Sequence, residues 1–106
     1  MTDIEFKDYL GKTFEELESL LQSKGDEYTL TDSNILHNFD KASVIQNQPR
    51  EQIILNFSMK HFVSILDMVE NIVTDVPSDS LITEKFNDMI AYLIIMKASL
   101  LQKNSL

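Results

Sequence analysis

Two glycines and two prolines are all the helix-breaking residues in this 106-residue chain, and that scarcity constrains its fold most tightly. Both residue types interrupt helices, so a chain this poor in them favours long helices joined by short connections. From Arg50 to about Val73 nothing interrupts a helical pattern, which gives about 24 residues and roughly 36 Å at 1.5 Å per residue. Ile54, Phe57, His61, Ile65, Met68 and Ile72 form its apolar or mixed face. Asn56, Lys60, Ser64, Asp67 and Asn71 form a polar stripe beside it.

A further helix is expected from about Leu81 to Gln102, capped by "DVPSDS". Leu81, Phe86, Met89, Ile90, Leu93, Met96 and Leu100 are apolar, and Ile94 and Ile95 widen the stripe almost to a full circumference. That makes this helix the central element. Upstream, Thr13 to Glu16 reads as a capping box, and Phe14, Leu17, Leu20 and Leu21 share a face up to a stop at Lys24 and Gly25. A short turn over Asp3 to Leu10 precedes it. After the polar connection "GDEYTLTDSN", Ile35, Leu36, Phe39 and Ala42 repeat at helical spacing behind an Asp32 or Ser33 cap, and the helix ends before "QNQP". Pro49 suits the first turn of the next helix. The fold class is therefore all-α, an antiparallel bundle of about four helices in one domain, with residues 1–12 as an extension and 13–102 as the bundle.

Hydrophobic residues at 43% with 25% charged argue against disorder. No cysteine is present, so disulfides and thiolate metal sites are excluded and a reducing cytoplasm fits. The acidic N-terminus lacks the pattern of a signal peptide, and the longest apolar run, "MIAYLIIM", is too short to span a membrane. Nine basic against 17 acidic residues leave a net charge of −8. Direct nucleic-acid binding needs a cationic face and is not expected. A cation, a basic protein surface or simple solubility is left as the use of that charge.

Two acidic pairs stand out. Asp67 and Glu70 lie three apart on one helix, and Glu84 and Asp88 four apart on the next. Packed antiparallel across a short link, the pairs approach one another at the same end. Converging carboxylates need a cation between them, and hard oxygen ligands suit Mg²⁺ or Mn²⁺. A solvated face, with Glu84 serving the helix dipole, is the simpler alternative.

The pattern Asp67-x-x-Glu70 followed by Glu84-x-x-x-Asp88 resembles the acidic pairs of the MazG-like, all-α nucleoside triphosphate pyrophosphohydrolases. The chain is also similar to small phage proteins of the nucleotide modification associated, MazG-like group in its ordered segments "DEY" (Asp26 to Tyr28), "NILHNF" (Asn34 to Phe39), "KHFVSILDM" (Lys60 to Met68) and "EKFNDMIAYL" (Glu84 to Leu93). This resemblance covers roughly residues 24 to 101. It implies an all-α fold, a phage or prophage origin and nucleotide handling through Mg²⁺ or Mn²⁺ held by Asp67, Glu70, Glu84 and Asp88. Hydrolysis of a triphosphate to monophosphate and pyrophosphate would be the reaction. Lys60 and His61 are candidates for phosphate, Asn34 and Asn38 for a base or ribose edge, and Tyr28 and Tyr92 for stacking. A homodimer is expected, through an exposed remainder of the last helix that includes Ile94, Ile95 and Leu101. The chain departs from the hydrolase pattern at Asp67, where a longer glutamate is usual.

A second class of function fits the charge. A small acidic phage protein can act as an anti-defence, anti-CRISPR-like inhibitor that presents carboxylates to the basic nucleic-acid groove of a host nuclease. Asp3, Glu5, Asp8, Glu15, Glu16, Glu18, Asp26 and Glu27 are the acids available for it. A metal site needs its acids converging, whereas a decoy needs them spread over the outside.

Overall fold

The computed structural model describes residues 1–28 and 36–104. Four helices follow one another: α1 (Asp3–Tyr28), α2 (His37–Gln46), α3 (Arg50–Glu70) and α4 (Asp79–Asn104). The described residues form no strand, and no helix among them is long and apolar enough to cross a membrane. The chain is an all-α bundle.

α1 starts at Asp3, eleven residues before the Phe14 that follows the expected Thr13 cap. The spacing that suggests a capping box there also occurs at Thr2 and Glu5, and the helix uses this earlier copy. The Thr2 hydroxyl accepts the Glu5 amide at 3.1 Å, and the Thr2 carbonyl accepts the Phe6 amide at 3.0 Å. Neither glycine stops the helix, so the expected extension and the stop at Gly25 are both overturned. A helical glycine costs only about 1 kcal/mol, which a helix of 26 residues absorbs. The expected Asp32 or Ser33 cap of the second helix lies outside the described residues.

α2 ends on Asn47, whose φ of 51° and ψ of 48° are left-handed. The Asn47 amide reaches the Val44 carbonyl at 3.4 Å and the Gln48 amide the Ser43 carbonyl at 3.2 Å, a Schellman-type stop. A β-branched residue is strained in that conformation. Asn47→Val is therefore expected to lower stability by about 1–2 kcal/mol in urea unfolding, with Asn47→Gly within a few tenths of wild type.

Pro49 stands immediately before α3, its carbonyl accepting the amides of Gln52 and Ile53 at 3.0 and 3.2 Å. α3 ends at Glu70 rather than Val73, because the Asn71 side chain folds back and donates to the Asp67 carbonyl at 2.8 Å. The Ser78 hydroxyl then caps α4 by accepting the Leu81 amide at 3.2 Å.

α3 and α4 run antiparallel, so Arg50 lies beside Ser99 and His61 beside Asp88. α4 also packs on α1, and α2 packs on α3. The central place expected for α4 follows from this. Leu36, Phe39, Ile53, Ile54, Tyr92 and Ile95 form the core cluster, with Leu21, Ala42 and Met96 against it. Ile95 is 6% exposed and belongs to the core, which removes it from the surface expected to dimerise. It lies on the same face as Ala91, one turn away, and both point into the bundle.

Candidate functional site

His61 sits at the middle of α3, where its ring is buried. It stacks on Tyr92 of α4, with ring centroids 5.6 Å apart and planes 27° apart. Lys24 of α1 places its Nζ 4.9 Å from the centroid of the Tyr92 ring, a cation–π contact. Asp88 of α4 lies 3.7 Å from the His61 Nδ1. That is too long for a hydrogen bond, and Nδ1 has no hydrogen-bond partner among the described residues.

Burial holds the His61 pKa below its ordinary value of 6.5; Asp88 opposes this, and the positive charges of Lys60, Lys85 and Lys24 reinforce it. The imidazole is consequently neutral in the folded protein at pH 7. In a chain of net charge −8, three of the nine basic side chains thus act electrostatically on this one ring. Unfolding lets His61 take up a proton near pH 6.5, while the folded state resists until lower pH. Its contribution to stability is therefore complete above that value and is lost as pH falls toward the folded pKa. Urea midpoints should drop between pH 7 and pH 5, and His61→Gln should lack that part of the slope.

Two open grooves flank this cluster on the polar side of α3. One, of about 360 Å³, is lined by Asn56, Phe57, Lys60 and Tyr92. The other, of about 270 Å³, lies where α3 meets the start of α4, and it includes Ser64, Asp67, Asn71, Asp75 and Lys85. Asn56, Lys60, Ser64, Asp67 and Asn71 are the polar stripe expected from helical spacing, and it borders both grooves.

The four carboxylates expected to hold a metal are placed differently from one another. Asp67 lines the second groove, and Asp88 faces His61. Glu70 is exposed as the last residue of α3, and Glu84 is exposed with Lys85 3.8 Å away. Among the described residues no group of three or more His, Cys, Asp or Glu could hold a metal ion. A cation bridged to phosphates needs only one or two carboxylates, because Mg²⁺ keeps most of its waters. Asp67 and Asp75 line the same groove.

Asn38 is exposed on α2; Asn34 lies outside the described residues, as do the side chains of Glu27 and Tyr28. Tyr92 is buried, so only part of its ring is available to a ligand. Lys24, Lys85 and Asp75 join the site without having been singled out. Lys85 sits inside the quoted "EKFNDMIAYL", but only the packing of α3 on α4 gives it a place beside His61. Of the N-terminal acids, Asp3, Glu5, Asp8, Glu15, Glu18 and Asp26 are exposed. Glu16 is half-buried and accepts the Asn87 amide at 3.0 Å. Comparison of the chain with protein-family models, with curated proteins and with solved structures finds no match.

Proposed function

We propose that this chain is a MazG-like nucleotide-binding protein of phage type, working as a homodimer in the host cytoplasm. The observation that carries the reading is the groove that Lys60 lines with Tyr92, whose ring stacks on His61 beside Asp88 and has its centroid 4.9 Å from the Lys24 Nζ. These residues come from three separate helices, and all but Lys24 belong to the segments on which the resemblance rests. Lysines acting on a neutral imidazole, in an otherwise acidic molecule, make a local well for phosphate oxygens. Asn56 and Phe57 offer an amide and an aromatic face to a base at one end of the polar stripe. Asp67 and Asp75 offer carboxylates at the other.

Mg²⁺ or Mn²⁺ held there would neutralise phosphate charge and, when bound, lower the pKa of a coordinated water. The residues of the chain hold and orient the triphosphate. Hydrolysis, with water added and pyrophosphate released to leave the monophosphate, is the reaction implied by the resemblance.

Calorimetric titration of deoxynucleoside triphosphates with and without Mg²⁺, followed by product analysis, tests the reading. Saturable binding that strengthens with Mg²⁺ supports it, and monophosphate product makes the chain an enzyme. No binding would favour the acidic-inhibitor reading, whose supporting observation is the outward placement of the α1 acids.

A further inference from the structure

A cavity of about 310 Å³ lies between α1 and α4, and none of its lining residues borders either polar groove. α1 supplies Tyr9, Thr13 and Glu16, four and then three residues apart and so on one face of the helix. α4 supplies Thr83, Phe86 and Asn87, with Ile82 and Ile90 a turn to either side of Phe86. The volume is at the low end of sites that take small molecules.

Glu16 decides which ligand fits. Its side chain is half-buried, and Oε2 accepts the Asn87 side-chain amide at 3.0 Å. Asn87 is itself only 9% exposed, so its amide fixes the carboxylate at the cavity wall. Oε1 has no hydrogen-bond partner among the described residues, and no basic side chain among them forms an ion pair with Glu16. Lys12, one turn earlier on α1, forms none. A carboxylate drawn partway out of water without a cation is costly unless a ligand brings the cation.

The walls select the kind of cation. Tyr9 is 53% and Phe86 40% exposed, and Phe6 braces the Tyr9 ring at 5.9 Å between centroids. Aromatic faces attract positive charge. The Thr13 and Thr83 hydroxyls add acceptors to the same cavity. A divalent metal ion calls for further oxygen anions, and among the described residues no group of three or more His, Cys, Asp or Glu gathers to supply them. A guanidinium uses every one of these features: it is flat, stacks on a ring, and carries a fork of donors for a carboxylate and hydroxyls. α1, with eight carboxylates against three lysines, draws cations to this side of the bundle.

We propose that the α1–α4 cavity binds an alkylguanidinium group, its charge on Glu16 and its plane and carbon stem against Tyr9 and Phe86. The site shares no residue with the nucleotide reading, so either can fail alone.

Titration of butylguanidinium into the methyl-labelled protein, followed by nuclear magnetic resonance at Ile82 and Ile90, gives the test. Saturable shifts at both methyl groups are expected, and butylurea, of the same shape but neutral, should give none. Glu16→Gln, which keeps an acceptor for Asn87, should weaken binding at least tenfold. Phe86→Leu should weaken it about two- to fivefold, with the helical circular dichroism signal kept in both variants. An acetylated, amidated peptide with one arginine separates the sources of the group: shifts at equal or lower concentration assign it to the side chain of a partner protein, and their loss assigns it to a free small molecule. Silence of Ile82 and Ile90 toward butylguanidinium, an equal response to butylurea, or wild-type affinity in Glu16→Gln would overturn the site. The first two outcomes are read on the wild type and need no variant to fold.

Discussion

Arg50→Ala should lower the unfolding free energy by about 3 kcal/mol, the low end of the range for breaking a buried charged network. The Arg50 side chain is 16% exposed and places Nη1 3.0 Å from the Asp40 carboxylate at the start of α2. Its Nε donates to the Ser99 hydroxyl at 2.7 Å and its Nη2 to Gln102 Oε1 at 2.9 Å, both on α4. The fully buried Ser99 passes the chain on by donating to Glu51 Oε1 at 3.1 Å. One guanidinium therefore ties three helices at the start of α3. Alanine would leave the Ser99 hydroxyl without its donor and withdraw the cation from Asp40.

Arg50→Lys should not restore the loss, because one ammonium cannot reproduce the fork of donors. Lys103→Ala, which removes the 3.1 Å ion pair to Glu51 Oε2 from a side chain 55% exposed, should fall within about 0.5 kcal/mol of wild type. Burial alone would raise the Glu51 pKa; hydrogen bonds from its own backbone amide, Lys103 and Ser99 bring it below the ordinary 4.5. Its contribution is thus present above pH 4.5 and is lost as pH falls through the folded value. Chemical unfolding of the variants across pH 3–7 checks both expectations.

The second large effect is expected on binding. Lys60→Ala should weaken nucleoside triphosphate binding by about tenfold, the scale of one lost charge-assisted hydrogen bond. Asp67→Ala should instead abolish the gain in affinity that Mg²⁺ gives, and Asp88→Ala should reduce it, with the bundle folded in each case. Lys60 and Asp67 are exposed, so neither substitution opens a cavity. Equal affinity of the Lys60 variant and the wild type in calorimetry would sink the phosphate role.

Local pattern carried much of the fold. Period and punctuation placed α3 and α4 within a few residues, because those helices are set by apolar faces and by Pro49 and Ser78 at their starts. α1 departs from the expected start for a physical reason: Thr2 and Thr13 offer the same capping spacing, and only the packing of the continuous helix on α4 decides between them. Ile95 was assigned to the surface because an almost fully apolar helix gives no period from which to read its inner side.

The candidate site was legible where it lies on one helix. Asn56, Lys60, Ser64, Asp67 and Asn71 follow from spacing alone, whereas Lys24 and Lys85 come to His61 through tertiary packing. Arg50 and Ser99 gave no sequence signal, since an arginine after a proline reads as an ordinary first-turn residue.

The most direct test is a nuclear magnetic resonance titration of the isotopically labelled protein with a deoxynucleoside triphosphate and Mg²⁺. The account predicts saturable shifts confined to Asn56, Lys60, His61, Asp67, Lys85 and Asp88, including the His61 ring protons. Shifts confined to the α1 acids, or no shifts at millimolar nucleotide, would contradict it.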